Sequence, residues 1–335
     1  MRKFVTIRDI AKAAGVSINT VSRALNNKPD INAETKKKVI EVAEKLGYIR
    51  DATALSLRYG LTKVIGVILE DSSNPFYSEV LKGIEIAAKE MGFNVVFMNT
   101  EKNYEMEEEA IKTMLSRRVD GIIISPTQEK SEDIKFLIDR DIPFVVLGVH
   151  FDDLDVSEIY SNDVEGGYLA TKHLIEIGRR KILLLNGFSY KSVSRMRFEG
   201  YRKALSEYGI PFDRNLVYEI EEGYDSAYKK VKEIIDKGVD FDGIFCFNDV
   251  FAIGTIAALK DANIRVPEDV AVIGYDDIYF SRFISPPLST VRIDKITEGK
   301  LAFEMLYQIL KKRSGKNIKK VLDVNLVVRA STKRF

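Results

Sequence analysis

The sequence predicts an α/β core of two doubly wound parallel-sheet lobes preceded by a small all-α head. Three observations predict it. From residue 63 onward, apolar strand-like runs alternate with amphipathic helical stretches, the pattern that builds parallel sheets. These runs are too many for one such sheet, which implies two similar lobes. The first 50 residues carry helical periodicity instead, and their charge differs from the rest: residues 1–60 hold 12 Lys/Arg against 6 Asp/Glu, and the remainder holds 39 against 44. A basic head on a mildly acidic body suits a polyanionic partner for the head.

The head reads as three helices. Thr6 opens a Thr-x-x-Asp capping pattern with Asp9, and Ile7, Ile10, Ala11 and Ala14 follow at helical spacing. Gly15 stops that helix, and Ser17 caps a second one with Val21, Ala24 and Leu25 turned inward. Asn32 caps a third, with Val39, Val42, Ala43 and Leu46 on one stripe. Two short helices joined by a glycine-containing turn form a helix-turn-helix, whose second helix enters the DNA major groove. With the apolar residues inside, Ile18, Asn19, Ser22, Arg23 and Asn26 are expected to face out. Asn and Arg make bidentate contacts to adenine and guanine edges, and Ser and Thr hydroxyls bind phosphates.

Residues 50–61, "RDATALSLRYGL", form a bridge too short to hold a helix in water without a partner. The core follows, with strand-like runs at 64–69, 94–98, 121–125, 144–148, 181–186, 243–248 and 270–275. Helical stretches include 77–91, 104–117, 165–177, 195–208 and 249–262. Ligands of such folds bind beyond the carboxyl ends of the strands. Those ends carry Asn74-Pro75-Phe76-Tyr77, Asn248-Asp249 and Gly274-Tyr275-Asp276-Asp277.

Other classes fit less well. A nicotinamide dehydrogenase needs Gly-x-Gly-x-x-Gly after its first strand, and here that strand runs into Ser72, Ser73, Asn74 and Pro75. Two His and one Cys, unclustered, leave no catalytic residue, metal or cofactor expected. The start shows no secretory pattern and no run reaches the ~18 apolar residues of a membrane span, so a cytoplasmic protein with no membrane partner is expected. A solute-binding protein would share the core but would lack the basic head.

Eight ordered segments then make a specific resemblance: "TIRDIAKAAGVSINTVSRALN", "VIEVAEKLGYI", "NPFYSEVLKGIE", "HLIEIGRRKILLLNG", "RFEGYRKAL", "FNDVFAIGTIAAL", "VPEDVAVIGYDD" and "PPLSTVRID". Nearly the whole chain resembles the LacI/GalR family of bacterial transcription regulators. The resemblance implies a type I periplasmic binding protein-like core behind a helix-turn-helix head (1–50) and a hinge helix with linker (51–61). It implies an effector-binding and dimerisation core over 62–335, with lobe one at about 62–161 and 292–323 and lobe two at about 162–291 and 324–335. Ile18, Asn19 and Arg23 match base-reading positions, and Thr6, Ser17, Ser22 and Asn26 match phosphate-fixing ones. Leu57, with Ala54 beside it, matches a minor-groove wedge. Arg50 departs from the proline that often precedes the hinge.

In the core, Arg197 and Asp276 match the effector-binding pair, a donor fork opposite an acceptor that suits vicinal hydroxyls. Phe76 and Tyr77 match a stacking position, Asn248 supplies an amide, and Asp249 is expected to cap the helix that follows. Asn162-Asp163 stands where the family usually has Asp then Asn. A lone His150 near the cleft is expected to be structural. The implied protein is a homodimeric repressor of a pseudo-palindromic double-stranded operator, with no heptad tail for a tetramer and with a sugar as effector. A nucleobase or a protein co-regulator is the alternative.

Overall fold

The computed structural model describes residues 5–48, 61–312 and 316–333, and the chain divides into two compact units at Thr62 and Lys63. In the first unit, α1 (Ile7–Ala14) begins with a complete capping box. The Thr6 hydroxyl oxygen accepts from the Asp9 N–H, and the Asp9 carboxylate accepts from the Thr6 N–H at 2.8 Å. Gly15 ends the helix at φ 65°, a left-handed turn that costs glycine nothing. The turn leads to α2 (Ile18–Leu25), capped by Ser17, and α3 (Ala33–Lys45), capped by Asn32. Ile10, Ala14, Val21, Ala24 and Val39 close the small core. The predicted α3 stripe runs one residue too far. Leu46 ends the helix and is 38% exposed, while Val42 packs only at the edge of the core.

The second unit holds two six-stranded sheets. The first has the order β11-β5-β4-β3-β1-β2, from β1 (Val64–Leu69), β2 (Asn94–Asn99), β3 (Ile122–Ile124), β4 (Phe144–Leu147), β5 (Glu158–Ser161) and β11 (Lys319–Leu322), all parallel. The second has the order β12-β10-β9-β8-β6-β7, from β6 (Ile182–Asn186), β7 (Val217–Glu219), β8 (Gly243–Cys246), β9 (Ala271–Asp276), β10 (Ser289–Arg292) and β12 (Asn325–Val327). Only β12 runs antiparallel to its neighbour. The chain crosses between the sheets three times: after β5, after β10, and between β11 and β12.

Helices cover both faces of each sheet, so the central strands read as continuous apolar runs. In the first lobe these are α4 (Pro75–Glu90), α5 (Tyr104–Ser116), α6 (Glu132–Asp139) and α11 (Lys295–Lys312); in the second, α7 (Asp163–Glu176), α8 (Ser192–Glu207), α9 (Tyr224–Asp236) and α10 (Asp249–Asp261). Fully buried side chains such as Phe303 and Phe245 each contribute ~1.5–3 kcal/mol. One contact places the site. A Cβ on Gly167 of α7 would stand 2.3 Å from the Arg197 carbonyl oxygen, and one on Gly200 of α8 would stand 2.1 Å from the Val164 carbonyl oxygen. The two glycines let α7 and α8 touch backbone to backbone, which carries Arg197 against the start of α7.

Candidate functional site

On the head, Ile18 (44% exposed) and Asn19 lie open on the first turn of α2. Ser22, Arg23 and Asn26 are half-buried rather than fully outward. Local pairing accounts for this. Arg23 forms an ion pair with Asp30, and the Asn26 amide donates to the Ser22 carbonyl at 2.7 Å. The Thr6 and Ser17 hydroxyls are engaged as caps, which puts both residues at helix N-termini. Ala54, Leu57 and Arg50 lie outside the described residues.

The second site lies where the carboxyl ends of the two sheets face each other. A cavity of about 60 Å³ is lined from lobe one by Glu70, Phe76 and Tyr77 and from lobe two by Lys191, Arg197, Glu222, Phe247, Asn248 and Asp276. Arg197 is 5% exposed, and it is held on every side. Its Nε donates to Asp163 Oδ1 at 2.8 Å, Nη1 donates to the Phe247 carbonyl at 2.5 Å, and the guanidinium lies 3.6 Å from the Tyr275 ring centre. Nη2 stands 3.9 Å from Asp276 Oδ1. Burial works against the Arg197 charge, and its neighbours, Asp163 first among them and then Tyr275 and Asp276, together more than offset it. Burial also pushes the Asp276 carboxyl well above the usual range, against the pull of Arg197.

Asp276 has φ 102°, a left-handed conformation for a non-glycine residue. It is clamped there by the Lys295 ammonium, which donates to the carbonyls of Asp276 at 2.5 Å and Asp277 at 2.9 Å. Backbone strain of this kind is of order 1–3 kcal/mol and persists where the surroundings over-determine it.

The expected cap at Asp249 is corrected: Asn248, which also lines the cavity, provides it. Asn248 is the cap of α10, accepting from the Phe251 N–H at 2.9 Å. Asp249 turns inward and accepts from the Thr290 hydroxyl at 2.6 Å, the Ser281 hydroxyl at 2.5 Å and the Ile278 N–H at 2.9 Å. Asn162-Asp163 also finds a physical reason: Asn162 caps α7, and Asp163 is the main partner of Arg197. Tyr77 is buried and donates to Glu70 at 2.9 Å, with the half-buried Phe76 edge-on to it at 5.1 Å between ring centres. His150 bonds Glu158 through Nδ1 at 2.7 Å and stacks on Tyr160.

Comparison with known proteins settles the class. Residues 62–325 match the family described as periplasmic binding proteins and sugar binding domain of LacI family, and residues 6–51 match bacterial regulatory proteins, lacI family. The chain belongs to the LacI family. It is 36% identical over 332 residues to the HTH-type transcriptional repressor PurR of Vibrio atlanticus (strain LGP32), covering 98% of both chains. Among solved structures, the lac repressor dimer bound to operator and the anti-inducer ONPF aligns at TM-score 0.88 with 28% identity, covering 98% of this chain and 99% of the other. The transcriptional regulator CelR in complex with cellobiose aligns at TM-score 0.76 with 27% identity, covering 98% of this chain and 99% of the other. The protein is therefore a DNA-binding transcriptional repressor of the LacI family and not an enzyme. Operator DNA and a small-molecule effector are the partners of this family.

Sequence reasoning missed Glu70, Lys191 and Glu222, which meet in the cleft. The Lys191 ammonium donates to both Glu70 oxygens, at 2.9 and 2.8 Å, and to Glu222 at 2.8 Å. Glu70 carries the one readable signal, since it follows β1 directly at a strand's carboxyl end.

Proposed function

We propose that this LacI-family repressor acts in the cytoplasm as a homodimer on a pseudo-palindromic operator, and that a small molecule seated between the core lobes sets its operator affinity. Ile18, Asn19 and Arg23 read base edges. Thr6, Ser17, Ser22 and Asn26 fix the head on phosphates, and Leu57 with Ala54 wedges the minor groove. Two-fold symmetry of the protein imposes two-fold half-sites on the DNA. Among the described residues no helix is long and apolar enough to cross a membrane.

The observation that carries the effector reading is the juxtaposition of Arg197 and Asp276, both buried, in a cavity edged by Phe76 and Phe247. Such a site offers hydrogen-bond donors and acceptors around an aromatic slot, as a planar nucleobase requires. The PurR name of the relatives supports a purine-class effector over the sugar expected from sequence. A sugar remains the second reading, favoured by the cellobiose-bound neighbour and by the carboxylates in the lining. At about 60 Å³ the cavity has room for a few water molecules, so a ring-sized effector enters only when the lobes part.

Thermal-shift screening against purine bases and mono- and disaccharides tests the class. A ligand at 100 times its dissociation constant adds ~2.7 kcal/mol of stability. A purine should raise the melting temperature and no sugar should; the reverse would establish the sugar reading.

A further inference from the structure

The start of α8 in lobe two is tied to lobe one by direct side-chain and backbone contacts. Lys191, 6% exposed, sits between Glu70 of lobe one and Glu222 of lobe two, and Tyr77 donates to the same Glu70. Burial pulls the ammonium towards neutrality, but Glu222 and Glu70 more than offset this and hold it charged. One residue further on, Gln128 Oε1 of lobe one accepts from the Ser192 N–H at 2.8 Å and the Ser192 hydroxyl at 2.9 Å. Ser192 Oγ in turn accepts from the His150 N–H of lobe one at 3.0 Å. Lys102 of lobe one pairs with Asp71 at 2.8 Å and reaches the Glu222 carbonyl at 3.3 Å.

We propose that Lys191 is a built-in latch: its ammonium bridges Glu70 and Glu222 across the cleft and holds the lobes closed before any effector arrives. The physics is a charge balance. With Lys191 in place, two buried carboxylates share one cation; without it, they face each other across the cleft with no cation between them, and parting the lobes to admit water becomes the cheapest relief. The latch therefore sets how much of the effector-free population is closed. An effector whose competent state is only fractionally populated binds with an affinity reduced by that fraction, so Lys191 tunes effector sensitivity through the closed population. Lys191 is a positioning residue here, and the latch holds whether the effector is a purine or a sugar.

Backbone hydrogen exchange on the effector-free full chain reads the latch directly, because the His150 N–H bonds across the lobe boundary while the His150 backbone itself belongs to lobe one. Lys191→Met should accelerate exchange at His150 and Ser192 and leave amides of the lobe interiors, such as Ile123 and Phe245, at wild-type rates. Lys191→Arg should keep the cross-lobe amides protected. Glu70→Ala, which removes the far anchor from the other lobe, should reproduce the Lys191→Met pattern and keeps the test open if that variant folds poorly. Wild-type protection at His150 in both Lys191→Met and Glu70→Ala would overturn the latch. Uniform acceleration through both lobes would overturn it too, since it would mark Lys191 as a contributor to global stability only.

Discussion

Arg197 is bonded to Asp163 and only near Asp276: Nε meets Asp163 Oδ1 at 2.8 Å, whereas Nη2 stands 3.9 Å from Asp276 Oδ1. All three side chains are buried. Asp163 thus anchors the guanidinium from within lobe two, and Asp276 is left with acceptor capacity that faces the cavity. The stability costs of losing the two carboxylates should differ accordingly. Asp163→Ala leaves a buried guanidinium without its bonded partner and should cost ~3–5 kcal/mol. Asp276→Ala should cost clearly less. Urea unfolding of the two variants ranks them, and equal costs would contradict this division of roles.

The α7–α8 contact predicts a second effect on the same pair. Gly167→Ala introduces a Cβ 2.3 Å from the Arg197 carbonyl oxygen, a clash with backbone rather than with a yielding side chain. It should cost ~1–3 kcal/mol by overpacking and should displace α8 together with the Arg197 side chain. Effector binding should weaken along with stability, and calorimetric titration beside an unfolding curve checks both.

Asp249 predicts a pH dependence. Burial raises its carboxyl from an ordinary value of 3.8 to about 6, partly countered by the Ser281 and Thr290 hydroxyls. The folded protein therefore holds this proton more tightly than the unfolded chain. Stability from this group is present below pH ~4 and is lost as the pH rises to about 6, by ~3 kcal/mol in all. Asp249→Asn has no proton to lose, so the variant should gain on the wild type between pH 4 and 7. Parallel unfolding curves across that range would show that Asp249 titrates normally.

On the head, the Arg23–Asp30 pair separates reading from general attraction. Arg23→Ala should remove ~1–3 kcal/mol of discrimination at one symmetric guanine. Asp30→Ala removes an acid from a basic head and should tighten operator and random DNA together. Binding titrations on both DNAs check this, and an unchanged operator-to-random ratio in Arg23→Ala would remove Arg23 from the reading face.

What could be read from sequence follows from burial. β1 and β6 are covered on both faces, so Val64–Leu69 and Ile182–Asn186 stand out as continuous apolar runs. The edge strand Lys319–Leu322 is mostly exposed and opens on two lysines, and Asn325–Val327 is three residues long, so neither stands out as a strand although apolar residues are frequent from 321 to 328. Asn248 and Asp249 are both competent caps, and only the inward hydroxyls of Ser281 and Thr290, far along the chain, decide between them. Glu70 and Lys191 lie 121 residues apart, and the Asp163–Arg197 bond depends on two glycines that let helices touch. Pairings of that kind are products of the assembled lobes and leave no local trace.

If a purine-class molecule in the cleft controls the head's hold on its operator, as proposed, operator affinity must respond to it through Arg197. Operator binding by wild type and Arg197→Ala, each titrated with and without purine bases, reads this. Wild-type affinity should change at least tenfold with one purine, and Arg197→Ala should show no change while still folding. Wild-type operator affinity indifferent to every purine would rule out purine control, and a full response in Arg197→Ala would remove Arg197 from the effector site.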